Sequence, residues 1–486
     1  MLTTFHLLKC STLPTNPVTM TTVCPFEIPL TLSERDRQSM HNLAERFVNE
    51  TMLDYEQVLA SKSGLPSAAR WKPLRHKDNV VIYQDQLVIE EIKRENRKTK
   101  SLGDVIDFSR VGDLLSRSMG PGTFPSSSAS PFNRDTALIE PKKAPKMIWM
   151  GTVEGELDDL MYGLGSQSEE VTRINYSYAG KNIQDFTTLA SLEKSTPNDV
   201  FHSLQLKWEV NRALTRAKPV WRCRDFVYLE ATGVTLCRST GQRIGYQILH
   251  SLDVRGVPEL PGRKLTRGKI TIYQLFRQKS KGTVEVFAKA MVDLAGDIPV
   301  NMASFATIEA ANSVNIAARC ARKRKLNWLL VTAADHYPNG ASANQSNSCC
   351  SVCARKLRNA FGQKAFFECH ICTQRVCHRC HVRQELSFIK PNKSLVIVEQ
   401  KSLDLCTPCV HRATQTNARR VALEESALKD PASMYKYIPR KKNFTLDRGT
   451  CCDEVETAIA TTGNTNSLTH TAVLFDRVTE VFHRLF

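Results

Sequence analysis

The sequence predicts an α+β protein in two parts: a domain built on an antiparallel sheet and closed by a long helix, then a small module organised by metal. Three observations carry this. A stretch with strand periodicity fills the middle of the chain, a long helical segment follows Pro299, and four Cys-x-x-Cys pairs succeed one another between Cys350 and Cys409. At 486 residues the chain accommodates two or three domains.

The first element is a helix over residues 33–59. Ser33 with Asp36 three residues on makes a capping box. Met40, Leu43, Phe47, Val48, Met52, Tyr55 and Leu59 then recur at helical spacing, an apolar stripe expected to pack inward. A short strand follows at 80–83, then a charged run at 90–100 that suits a solvated helix or loop. Residues 118–146 are rich in Pro, Gly and Ser and read as a disordered insertion.

From residue 147 the pattern turns to strands. A strand at 148–153 and a helical piece at 156–164 come first. Leu204, Leu206, Trp208 and Val210 then alternate as in a strand with one buried face. Further strand-like runs lie at 220–229, 244–252, 269–276 and 283–292, with Gly and Pro clustered at 256–268. In the helix after Pro299, Met302, Phe305, Ile316 and Cys320 share one face. Its basic end (Arg319, Arg322, Lys323, Arg324, Lys325) offsets the macrodipole of that helix, or serves as a localisation or phosphate-binding cluster.

This order of elements resembles the helix-grip arrangement of START-like lipid-transfer domains over residues 26–330. The resemblance rests on that order and on local phrases: Trp71-Lys72 before a short strand, residues 221–230 (WRCRDFVYLE), and Val254-Arg255-Gly256. It implies a curved sheet wrapped around the last helix, with an apolar lipid held between them. Trp208, Tyr246, Met302 and Phe305 are then the expected lining residues. An α+β domain with a filled core stays open beside this reading, because bulky inward residues suit both.

The cysteine pairs are Cys350/Cys353, Cys369/Cys372, Cys377/Cys380 and Cys406/Cys409. Eight thiolates so spaced supply two closed tetrahedral zinc sites, which fold a module and do no chemistry. The short interval between the second and third pairs forces interleaving. One zinc falls to Cys350, Cys353, Cys377 and Cys380, the other to Cys369, Cys372, Cys406 and Cys409. Cys349 beside Cys350 is an alternative first ligand. The other cysteines (Cys10, Cys24, Cys223, Cys237, Cys320, Cys451, Cys452) read as thiols outside any metal site. His370, His378 and His381 are expected near the sites but not as ligands.

These intervals resemble the FYVE-type zinc finger, over residues 349–412. That resemblance implies contact with phosphatidylinositol 3-phosphate on endosomal membranes. The chain departs from the family at the basic His-containing run before the third cysteine, where Ala365, Phe366, Phe367 and Glu368 stand, and no Trp-x-x-Asp precedes Cys350. Phosphoinositide specificity is therefore not carried over, since a headgroup needs fixed cations. Arg355, Lys356, Arg358 and Lys364, beside Leu357, Phe361, Phe366 and Phe367, are the candidates for contact with an anionic membrane. The phenylalanines serve equally as the core of so small a module. RING- and PHD-type interaction fingers share the cross-brace and remain the alternative, on a packed START-like scaffold.

The net charge of +17 favours polyanionic partners, and the lipid reading makes these membranes rather than nucleic acid. No run of roughly eighteen apolar residues occurs, and residues 1–20 lack the charged start of a signal peptide, so a cytoplasmic, peripherally membrane-associated protein is expected. No catalytic motif is present, and the expectation is a non-enzymatic protein. Residues 1–25 read as disordered, 331–348 as a linker, and 413–486 as a mostly disordered tail with a helix near 473–485.

Overall fold

The computed structural model describes residues 25–436 except 27, 62–63, 78, 104–143, 166–167, 180–182, 212–221, 297, 312, 334–348, 358–365 and 391–395. The expected disordered N-terminus, most of the expected insertion, most of the linker, and the helix near 473–485 lie outside these residues.

Helix α1 (Glu34–Ala60) starts where the sequence places it. Ser33 Oγ accepts from the Asp36 N–H at 3.2 Å. The Asp36 carboxylate accepts from the Ser33 hydroxyl at 2.7 Å instead of closing the box on the backbone. Met40, Leu43, Phe47 and Tyr55 are buried against the sheet, while Leu59 lies at the exposed end.

The sheet comprises β1 (Trp71–Lys77), β2 (Val80–Asp85), β3 (Lys146–Glu154), β4 (Ile183–Glu193), β5 (Ser203–Asn211), β6 (Cys223–Leu236), β7 (Arg243–Ser251), β8 (Leu265–Arg267), β9 (Lys269–Ser280) and β10 (Thr283–Asp293). Its order is β1-β2-β3-β10-β9-β7-β6-β5-β4, antiparallel throughout, with β8 added in parallel to β6. The short β1 and the whole of β4 have no counterpart in the strand pattern read from the sequence.

Both faces of this sheet are covered. One packs on α1. The other is covered by α3 (Leu157–Leu164), α4 (Glu169–Ala179), α5 (Val300–Ala311) and α6 (Ser313–Val331). The helix expected after Pro299 is thus two, α5 and α6. Another helix, α2 (Gln86–Gly103), follows β2 and takes up the charged run. Helices α3 and α6 touch backbone to backbone at Gly163, where a Cβ would come within 1.9 Å of the Ala317 carbonyl oxygen.

The cysteine-rich part carries β11 (Phe367–Glu368), β12 (Arg375–Val376), the hairpin β13 (His381–Lys390) and β14 (Ile397–Cys406), α7 (Thr407–Gln415), α8 (Ala418–Ser426) and a 3-10 turn at Pro431–Tyr435. Residues 413–436, expected to begin an irregular tail, instead finish α7, form α8 and pack on α6. Val421, Leu423, Met434 and Tyr435 are buried there in the same cluster as Leu160, Ala317, Leu326 and Leu329. One continuous core therefore spans the sheet domain and the cysteine-rich module.

Candidate functional site

The eight cysteines converge on two clusters, Cys350–Cys353–Cys377–Cys380 and Cys369–Cys372–Cys406–Cys409, with the sulfurs of each within 4.8 Å of one another. This is the interleaved pairing, and Cys350 rather than Cys349 belongs to it. Two turns of the same form present the first pairs. The N–H of Ala354 donates to the Cys350 carbonyl and that of Thr373 to the Cys369 carbonyl, both at 2.9 Å. Ala354 and Thr373 both have positive φ, 56° and 61°. The N–H groups of Val352 and Cys377 each lie 3.4 Å from the Cys350 sulfur as donors. Burial disfavours the Cys350 thiolate, yet these backbone donors and that of Cys353 outweigh it and bring its pKa down to about 6.

Sulfurs lie 3.7 Å apart in the pairs Cys353–Cys377 and Cys372–Cys406. Metal–sulfur bonds of about 2.3 Å in a tetrahedron require an edge of about 3.8 Å, which these pairs match, so the donor set suits a four-coordinate thiolate-bound ion. Cys353 is exposed, whereas all four cysteines of the second cluster are buried. None of the three histidines joins a cluster. His381 Nε2 lies 2.8 Å from Asp404 Oδ1 and His370 Nδ1 lies 3.0 Å from the Asp404 carbonyl oxygen, while His378 is exposed.

The module is held to the sheet domain by the basic cluster of α6, which sits in the middle of the helix and not at its expected end, because the helix runs on to Val331. Arg324 is 2% exposed. It donates to Glu425 Oε2 at 2.8 Å, to Tyr435 Oη at 2.8 Å, and to the carbonyls of Tyr162 and Gly165 at 2.6 and 2.9 Å. Lys325 donates to Asp159 at 2.8 Å and to the carbonyls of Thr414 and Thr416 at 2.9 Å, which caps the C-terminus of α7. Trp328 Nε1 donates to Glu424 at 2.7 Å. The cluster thus offsets the dipole of a different helix from the one expected. Arg319 and Arg322 alone of the five remain exposed.

The expected lipid-lining residues do not come together. Trp208 lies on the α1 face, edge-on to Phe26 at 5.4 Å, and Tyr246 lies on the same face over Gly233. Met302 packs on the opposite face with Phe226, Tyr228 and Val292, and Phe305 is 49% exposed. Strand alternation correctly unites Trp208 with Tyr246, but the sheet itself separates them from Met302 and Phe305.

The face opposite α1 carries a different set. Across β6, β7, β9, β10 and β3 the register aligns Thr232, Gln247, Gln274, Ala288 and Trp149. The next row aligns Gln205, Glu230, Leu249, Ile272, Ala290 and Met147. One end of the face is therefore polar and the other apolar, and both are buried. Lys207 and Glu230 form a buried ion pair, and Gln247 Nε2 donates to Glu230 at 2.9 Å. Tyr176 and Tyr228 both donate to Glu209 Oε2 at 3.1 Å. The Gln247 Oε1 atom is buried with no hydrogen-bond partner among the described residues. Sequence reasoning passes over these groups because polar residues alternating in a strand read as solvent-facing.

Arg355 and Lys356 are exposed beside the first cluster, while Arg358, Phe361 and Lys364 lie outside the described residues. Phe367 is stacked on His381 at 3.7 Å and Phe366 lies under the Arg375 guanidinium at 4.6 Å, both partly buried. Among the described residues no helix is long and apolar enough to cross a membrane.

No protein-family model matches the chain, and no curated protein matches it. Among solved structures it is similar to human StAR-related lipid transfer protein 5, at 14% identity over 59% of this chain and 98% of that one, with a TM-score of 0.34. Human STARD10 matches at 10% identity over 56% and 79% of the two chains, TM-score 0.31. The lipid transfer and protein localization domain of human StarD13 matches at 12% identity over 52% and 88%, TM-score 0.28.

Proposed function

We propose that this chain is a non-enzymatic lipid-binding protein, with a START-like domain that takes one amphipathic lipid and a FYVE-like finger folded by two structural zinc ions. The observation that carries the lipid reading is the sheet face opposite α1. A core packed only for stability fills such a face with aliphatic side chains, because each buried polar group costs free energy unless it is hydrogen-bonded. Here Lys207, Glu230, Gln247 and Gln274 occupy one half, the Gln247 carbonyl oxygen is unspent, and the other half is apolar. A ligand with a polar end and a hydrocarbon end satisfies both halves, so the apolar ligand expected from sequence becomes an amphipathic one.

Zinc is the metal that an all-cysteine tetrahedral site favours. Membrane contact, if made through the finger, uses Arg355 and Lys356 as diffuse charge, because Phe366 and Phe367 are engaged within the module. The expected setting is cytoplasmic. Native mass spectrometry of the full chain tests the reading: two zinc ions and one lipid of defined mass should be retained. Lys207→Met with Glu230→Leu should change the lipid class retained and leave the zinc stoichiometry intact. A chain that retains no lipid and takes none up from mixed micelles rejects the START-like function and leaves a zinc-folded scaffold.

A further inference from the structure

We infer, on the reading of both cysteine clusters as zinc sites, that the first cluster is an oxidation site for peroxide and the second is protected from it. The two clusters differ in access. Cys353 is exposed and Cys380 half-buried, whereas Cys369, Cys372, Cys406 and Cys409 are each no more than 4% exposed. A thiolate held by a metal is already deprotonated, so access to the oxidant decides which sulfur reacts.

The surroundings of Cys353 suit the reaction. From Cys349 to Gln384 the only acidic residue is Glu368, which stands opposite Arg375 in the β11–β12 pair. Arg355, Lys356, His378 and Arg379 are exposed in the segments that carry Cys353 and Cys380. Exposed sulfur in such an electropositive setting is the reactive kind. A second thiol is in place as well. The Cys377 sulfur lies 3.7 Å from that of Cys353, and an S–S bond of about 2.05 Å is reached by a shift of less than about 2 Å. Cys372 and Cys406 are equally close in the second cluster, so proximity does not separate the two sites and exposure does.

The Cys353 thiolate attacks one oxygen of hydrogen peroxide. The S–O bond forms, the O–O bond breaks and hydroxide leaves, so the sulfur is oxidised to a sulfenic acid and the peroxide is reduced. The Cys377 thiolate then attacks that sulfur; the S–S bond forms, the S–O bond breaks and a second hydroxide leaves. Two thiolates and one peroxide thus give one disulfide and two hydroxides. Two of the four donors are thereby withdrawn from the metal, and the first ion is released. The change is local. It falls on the Cys350–Cys353 turn, which is bonded to β12 through the Ser351 N–H and hydroxyl, both 3.0 Å from the Arg375 carbonyl oxygen, and which leads into Arg355 and Lys356. The second cluster, fully inside the core shared with the sheet domain, stays closed.

The test treats the full chain with hydrogen peroxide, quenches with catalase and counts metal by native mass spectrometry. Alkylation after unfolding, with peptide mapping, locates the oxidised cysteines. The count before peroxide reads the zinc assignment alone: two ions are expected, and a chain holding none removes that assignment and this inference together. After peroxide a one-zinc species should form about tenfold faster or more than the metal-free species, since only one cluster presents an exposed sulfur. In it Cys353 should be linked to Cys377, with Cys369, Cys372, Cys406 and Cys409 all alkylated. Simultaneous loss of both ions, earlier oxidation in the second cluster, or retention of two ions with every cysteine alkylated overturns the inference while the zinc assignment stands.

Discussion

Arg324 and Lys325 lie in the middle of α6, and both are buried. In the fold Arg324 is 2% exposed and Glu425 is fully buried, joined at 2.8 Å with two tyrosines completing the network. Such a pair contributes little net stability relative to apolar packing, yet breaking it leaves an uncompensated charge in the core. Glu425→Leu should therefore lower unfolding stability by about 3–5 kcal/mol. Adding Arg324→Met should recover most of that loss, and urea denaturation of the two variants checks it. Nothing local to residues 319–325 distinguishes the two buried cations from the exposed Arg319 and Arg322. The choice is made by which side of α6 meets α8 and the end of α7. The cysteines are the opposite case, because a pair two residues apart presents both sulfurs to one ion whatever surrounds it.

At the scale of elements, the contact of α3 with α6 depends on one missing side chain. A Cβ at Gly163 would sit 1.9 Å from the Ala317 carbonyl oxygen, and this atom cannot move without displacing α6. Gly163→Val should cost about 3 kcal/mol or more and should loosen the module as well, since α6 carries both; thermal melting followed at the finger and at the sheet checks this. The second cluster is likewise built into an element, with Cys406 immediately before α7 and Cys409 in its first turn. Cys406→Ser should raise amide hydrogen exchange through α7 and α8. Cys353→Ser, at the one exposed cysteine of the first cluster, should raise it only around residues 349–357 and 375–380. Equal protection loss in both variants would show that the two clusters fold as one unit. Helix α1 and most strands were legible because their apolar periods are strong. The hairpin β13–β14 and the helix α8 were not, because their apolar residues gain partners only from distant segments, α4 and α6 for the hairpin and α3 and α6 for α8.

For the whole molecule, the cysteine-rich module is not an independent unit. It shares a core with the sheet domain, and its described phenylalanines are engaged within it. Binding to anionic vesicles should accordingly be weak, insensitive to which phosphoinositide is present, and largely lost as salt rises. Each exposed basic side chain contributes about 1 kcal/mol near such a surface, screened over about 8–10 Å. Vesicle sedimentation across several phosphoinositides at two salt concentrations measures this. Salt-resistant selection of the 3-phosphate would show a pocket that Arg355 and Lys356 do not build.

The sequence by itself determined the class of the molecule and the grouping of its cysteines: a helix, an antiparallel run of strands, a terminal helical segment, and eight thiols in interleaved pairs. These follow from periodicity and ligand spacing, which act over a few residues. Only the tertiary structure decided which sheet face is the interior, because alternation says that Trp208 and Tyr246 share a face but not what covers the other one. Lys207, Glu230 and Gln247 look solvent-facing in their strands and become interior when α3 to α6 fold over them. That covering, and the docking of residues 413–436 on α6, rest on contacts between segments up to several hundred residues apart, which no local pattern encodes.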